Sequence, residues 1–505
     1  MNWLRVLTTL GWVAGGLSIA ALPASARESN GWPFWVGQIR GADQVQSWTA
    51  VGPLGFEQPG APLAPGQSES VLGGVRPFYV WRKDPSNRLR EAYAAYPFFS
   101  YRADERGAVS WSVFNLINRR TIPAGADVPG RSVAAGAFDV WPFYFSRQTG
   151  DSARDYRAVF PLAGTVKQRF GQDRMSWVLF PLYGRFEKRG VVTTTTPWPI
   201  IKTVQGEGHR GFEVWPLYGQ RGRTGDYREQ FFLWPLVYRT ESGLSEAVPD
   251  VKVGVLPFYA SDRAPGYTAE TWLWPFFGYV DRTAPYQYHA RHYFWPFLVQ
   301  GRGDERVVNR WAPFYSHSVI KGTDKRWVLW PLWKQVEWRE GAVDQTKSQL
   351  LFVLYNATVQ RSVANPAAAP ARKVHVWPLF SAWDNGAGRK QVQALSPFEV
   401  FLPHNEPVRW SWSPLFALYR YDRQPNGDLR HSLLWEGITF GRRPTSEESE
   451  FHLGPLLEVS TRRDTGRIAI GRGLLGFKRA AGQRWWRPFF GEFKGHLESS
   501  GDTRP

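Results

Sequence analysis

Apolar residues along this chain recur in short clusters around proline rather than in helical stripes. An aromatic residue, most often Trp, precedes the Pro, and Leu or Phe follows it. Clear copies are Trp32-Pro33-Phe34, Trp141-Pro142-Phe143, Trp215-Pro216-Leu217, Trp234-Pro235-Leu236, Trp274-Pro275-Phe276, Trp295-Pro296-Phe297, Trp330-Pro331-Leu332 and Trp377-Pro378-Leu379. Degenerate copies such as Tyr96-Pro97-Phe98, Phe180-Pro181-Leu182, Leu256-Pro257-Phe258 and Ala312-Pro313-Phe314 fill the gaps. From Pro142 to Pro331 the steps are 19, 20, 18, 17, 19, 22, 18, 21, 17 and 18 residues. A steady period of this size marks one supersecondary unit used many times.

Polar turn sequences lie between the copies, among them Gly222-Arg223-Thr224-Gly225-Asp226 and Gln424-Pro425-Asn426-Gly427-Asp428. Their Gly and Asn residues supply the positive φ angles of tight antiparallel turns. Gly and Pro, at 49 and 38 residues, punctuate too often for long helices. The pattern predicts an all-β antiparallel meander of roughly 22–24 short strands, one of about 8–11 residues per copy. Closure into a large β-barrel removes the exposed edges that an open sheet of this size carries. A propeller or stacked sandwich is the alternative architecture.

Offsets within a copy predict two unlike faces. Counting each Trp as zero, position −1 is apolar (Val140, Val214, Leu329) and position +3 aromatic or branched (Tyr144, Tyr218, Trp333). These share one side of an extended segment with the Pro. The other side turns polar toward its ends, as at Asp139, Glu213, Lys334 and Ser381. Proline has no N–H, so each one inside a ladder strands a carbonyl at a cost of ~1–3 kcal/mol. Close to twenty of these exceed the ~5–15 kcal/mol of net stability of a domain. The aligned prolines therefore predict a line of bulges or bends, each covered by its Trp.

The first residues read as an export signal: Arg5, an apolar stretch from Trp12 to Leu22, and the small-residue site Ala24-Ser25-Ala26. Residues 1–26 are expected to be removed, leaving 27–505 as a single repeat-built β domain. Gly/Pro/Ala-rich loops are expected at 52–76, 121–135 and 365–372. Cys is absent, which excludes thiolate catalysis and Cys-ligated metals. The formal charge of +18 falls to +17 once Arg5 leaves with the signal. A basic exported protein meets lipopolysaccharide, phospholipid headgroups or anionic polysaccharide rather than nucleic acid.

Motifs with catalytic precedent lack their context. Gly471-Arg472-Gly473-Leu474-Leu475-Gly476 matches G-x-G-x-x-G, but a turn and another strand follow in place of the helix a dinucleotide needs. Ser318-Val319-Ile320-Lys321 fits S-x-x-K without a helix start. His289 and His292 flank a turn-like segment with no carboxylate at ligand spacing. The expectation is therefore no enzyme, no cofactor and no metal. The candidate contact residues for glycan or membrane are aromatic: Trp327, Trp330, Trp333 and Trp338, with Trp485 and Trp486.

Two functions fit these features. One is an outer-membrane β-barrel of a Gram-negative bacterium, porin-like or an export channel, with a preference for anionic solutes or glycans. The other is a soluble exported or periplasmic repeat protein that binds carbohydrate on Trp platforms. Central aromatics and an apolar face only about three positions tall count against a barrel, whose lipid-facing band is ~25 Å high.

Overall fold

The computed structural model describes residues 28–40, 44–60, 69–124 and 135–492. The expected signal at 1–26 lies outside the described residues, as do 61–68 and 125–134 of two expected loops.

Among the described residues the chain is all-β, a 45-stranded antiparallel meander with two short α-helices at Glu406–Ser411 and Ser413–Phe416. The count of 22–24 strands is corrected by a factor of about two because each copy of the repeat is a hairpin. Strands are 4–8 residues long, most often six, rather than the 8–11 expected. The aromatic-proline sequence forms the turn itself. Asp139 and Val140 end one strand, Trp141-Pro142-Phe143 reverses the chain, and Tyr144 begins the next. This answers the proline problem physically. A turn tip needs no ladder donor, so Pro stands there rather than at a bulge inside a strand. The Trp-Pro and Phe-Pro bonds at Pro142, Pro161, Pro181, Pro216, Pro235, Pro275, Pro296 and Pro331 are cis, the geometry of a type VI turn.

Polar turns alternate with these. Glu207-Gly208 and Lys321-Gly322 place two successive residues at positive φ, as a two-residue type I′ hairpin requires. Thus one row of strand ends is apolar and the opposite row polar. The segment expected to be a loop at 52–76 contains two strands, Gly55–Gly60 and Ser70–Val75, paired with one another. Of the insertion expected at 365–372, residues 365–370 fall in the connection between Tyr355–Ser362 and Ala371–Val376, while Ala371 and Arg372 already belong to the second strand.

The chain divides into two compact units, residues 89–377 and residues 1–88 with 378–505, at boundaries that no shift of composition marks. In the 89–377 unit, positions −1 and +3 of the repeat share a face as cross-strand partners in some copies, where Val140 faces Tyr144, Val214 faces Tyr218 and Phe294 faces Leu298. In others the −1 residue lies in the turn and position −2 takes its place, as where Trp272 faces Phe277 and Val328 faces Trp333. The opposite face is the better packed. Phe145, Tyr156, Ala158, Val166 and Trp177 form a buried cluster there, with Phe160, Met175 and Phe180 against it. Glycines on this face lie beneath rings of the neighbouring strand. A Cβ on Gly219 would stand 2.1 Å from the Phe231 ring, and one on Gly254 would stand 2.1 Å from Tyr238.

The 1–88/378–505 unit is held by a small apolar centre and a buried ionic network. Phe56, Leu72 and Val80 pack with Trp410 of the first helix. Buried Arg76 stacks over the Phe56 ring and donates to the carbonyls of Trp410 and Pro53. The strand Glu28–Gly31 crosses onto strands that follow 400 residues later in the chain. Glu28 accepts from Thr439 Oγ1 at 2.5 Å and from Arg430 Nε at 3.1 Å. Asn30 donates to the Glu436 carbonyl, and Arg430 Nη1 also reaches Glu436 Oε1 at 2.8 Å. Burial would raise the Glu28 pKa, but Arg430, His452 and the Thr439 hydrogen bond outweigh it and hold the group down at about 2. Burial pushes nearby Glu450 up to about 7; Arg443, 3.1 Å away, opposes this, while Glu448 and Glu28 add to the rise.

Candidate functional site

The row of aromatic-proline turns is the most distinctive surface of the 89–377 unit. Trp141, Leu162, Leu217, Phe258, Phe314 and Trp330 at its tips are between 52% and 68% exposed. The first strand position beside each turn extends the row along one face, with Val178, Phe232, Trp272 and Trp311 about half exposed. Two positions further from the turn on this face many residues are polar or charged, as at Arg185, Arg239, Asn309 and Arg326, with apolar exceptions at Phe138, Phe212 and Val253. The apolar band therefore comprises the turn and one strand residue, roughly 10 Å deep.

Successive turns are hydrogen-bonded to one another. Leu329 N donates to Phe314 O and Trp330 N to Pro313 O, both at 2.7 Å, while Leu332 N closes its own turn onto Leu329 O at 2.7 Å. Pro331 has no N–H to place. The turn Leu233-Trp234-Pro235-Leu236 repeats the scheme, onto Leu217 O, Pro216 O and Leu233 O. So does Leu179-Phe180-Pro181-Leu182, onto Leu162 O, Pro161 O and Leu179 O. Every backbone donor of these three turns is satisfied without water. Proline is the residue that makes this complete, because it occupies the one tip position for which no acceptor is available.

The sequence-predicted aromatics are dispersed by this geometry. Trp330 is a turn tip, 56% exposed. Trp333 begins the next strand and faces Val328 on the open face. Trp327 and Trp338 occupy the other face, opposite Lys334 and Gln345 and several residues apart along the strands. Trp327 also meets Phe352 edge-on at 5.7 Å. The four do not form one platform. In the other unit, Trp485 is 82% exposed in the polar connection 480–486, and Trp486 lies under Arg479. The segment Gly471–Leu474 is a turn between two strands, so no helix N-terminus faces a phosphate. His289 and His292 have opposite parity in the strand Tyr288–Phe294 and point to opposite faces.

A polar cavity of about 320 Å³ opens on the packed face of the 89–377 unit, lined by Tyr93, Ser100, Arg102, Ser112, Asn118 and Asp139 among others. Ser100 and Ser112 share a 2.7 Å hydrogen bond, and Asp139 is engaged by both Arg169 Nη atoms at 2.8 Å. Sequence reasoning missed this cavity because its residues come from five strands. It also missed the turn ladder, although the polar turns midway between prolines gave a reversal every nine or ten residues.

Neither the known protein-family models nor the curated proteins give a match to this chain.

Proposed function

We propose that this protein is an exported β-meander that docks on a lipid membrane, the outer membrane of a Gram-negative bacterium, by seating its aromatic-proline turns in the hydrocarbon of one leaflet. The turn ladder carries this reading. In hydrocarbon an unsatisfied backbone group costs several kcal/mol, so a loop enters lipid only when its donors are paired internally. A row of exposed Trp, Phe and Leu with its N–H groups paired meets that condition, and Trp is favoured at the interface.

Depth distinguishes this from a porin-like channel. Strands of six residues reach about 20 Å, whereas a spanning strand needs about 9–11 residues for a core of ~30 Å. The apolar band of roughly 10 Å suits one leaflet. A closed barrel that conducts anionic solutes therefore draws less support than attachment to one leaflet. A second reading, recognition of an anionic polysaccharide, is supported by the cavity at Ser100, Arg102 and Asn118 rather than by the dispersed Trp residues.

Vesicles carrying bromine at a shallow or a deep acyl position test the depth. Tryptophan emission is expected to be quenched by the shallow label and spared by the deep one. Quenching by neither removes the membrane reading, and equal quenching by both restores a spanning barrel. Planar-bilayer recordings are expected to show no stable conductance.

A further inference from the structure

Three lysines gather on the packed face next to the Leu329–Leu332 turn. Lys334 stands opposite Trp327, two positions from the end of the turn. Lys325 and Lys347 face Val336 from its two sides, one step further along the same face. Lys334 Nζ lies 5.0 Å and Lys325 Nζ 5.9 Å from the centre of the Trp327 ring. Ser318 lies across from Lys325, and Thr358 across from Lys347, so a hydroxyl borders the group on each side.

No carboxylate neutralises them. Asp324, Glu337 and Asp344 have the opposite parity and point to the other face, where Arg326 and Arg339 hold the two aspartates. Glu340 shares the lysines' parity but sits at the far end of its strand, bonded to Gln345. Among the described residues none of the three lysines has an ion pair. Burial lowers the Lys334 pKa, and the charges of Lys325 and Lys347 lower it further. Like charges placed on adjacent strands are destabilising, and an anion between them reverses the sign.

We propose that Lys325, Lys334 and Lys347, with Trp327, form a binding site for a phosphate group carried by a lipid headgroup. The inference rests on the membrane reading and deepens it. With Leu329, Trp330 and Leu332 in the hydrocarbon, Lys334 stands about 7 Å above the turn, at headgroup level. The ammonium groups supply the charge and Trp327 the interfacial ring.

The full chain is to be sedimented with phosphatidylcholine vesicles, with vesicles containing phosphatidic acid, and with vesicles containing oleate at matched surface charge. Wild type is expected to prefer phosphatidic acid over both others, by on the order of tenfold or more for three lysines at the surface. The K325Q/K334Q/K347Q variant is expected to lose that preference while still sedimenting with phosphatidylcholine. A variant that removes equal charge from the polar turns, K188Q/R189Q/K321Q, is expected to keep it. Equal loss in the two variants, or equal preference for oleate, overturns the site. If wild type binds no vesicle, the membrane reading and the lipid source fall together. In that case a rise in Tm with inorganic phosphate, seen in wild type and missing in K325Q/K334Q/K347Q, leaves a soluble phosphate as the occupant, and no rise in either removes the site as well.

Discussion

Glu28 shows how much one side chain can hold in this chain. It is 7% exposed, and its two oxygens bind Thr439 and Arg430, residues more than 400 positions away. Removing one partner of a buried pair leaves the other charge uncompensated, which costs about 3–5 kcal/mol. Glu28→Gln is expected to lower the unfolding free energy of its unit by about that amount in urea titrations. Titration adds a second expectation. A carboxyl held at about 2 gives stability that is complete above its unfolded value of 4.5 and disappears as pH falls toward 2. Glu450 works in the other direction: its raised value means the folded state keeps a proton that the unfolded chain has lost. Its contribution therefore declines as pH rises from 4.5 to about 7. Glu450→Gln is expected to flatten the fall of stability across that window, measured by denaturant midpoints at a series of pH values. None of this network was legible in the sequence. Glu28, Arg430 and Glu436 are ordinary charged residues until the fold brings the two ends of the unit together.

At the scale of the element, the hairpin is governed by its turns and by what lies over its glycines. Gly219 accommodates the Phe231 ring, so Gly219→Ala forces ring or backbone to shift and is expected to cost about 1–3 kcal/mol. The paired change Gly219→Ala with Phe231→Leu is expected to recover part of this loss in the same denaturation assay. The period, the antiparallel order and the likeness of positions −1 and +3 were all legible from residues such as Val140 and Tyr144. The strand count was not. A Trp-Pro-Phe sequence is as apolar as a strand centre, and reading Trp141 to Tyr144 as continuous extended chain halves the number of reversals. The missing donor of Pro142 held the answer, since it fits a tip better than a ladder.

On the scale of the whole molecule, the division into an apolar and a polar row of strand ends decides behaviour at a surface. Replacing Leu329 and Leu332 by Asp leaves the ladder bonds of the backbone in place but sets two charges in the leaflet. L329D/L332D is expected to keep its β-sheet circular dichroism and to bind phosphatidylcholine vesicles at least tenfold more weakly, at roughly 2 kcal/mol or more per buried charge. The alternation of rows also constrains how such a chain can lengthen or shorten. Two strands form the smallest quantum that can be gained or lost, because an odd change would send every later Trp-Pro tip to the opposite side and scatter greasy and polar ends along both margins. Excision of Pro216 through Trp234, one full repeat of 19 residues, joins Trp215 to Pro235 and preserves the sidedness of everything downstream. Growth by whole copies is thus written into the geometry, and the length of the molecule can vary without any loss of its two-sided character.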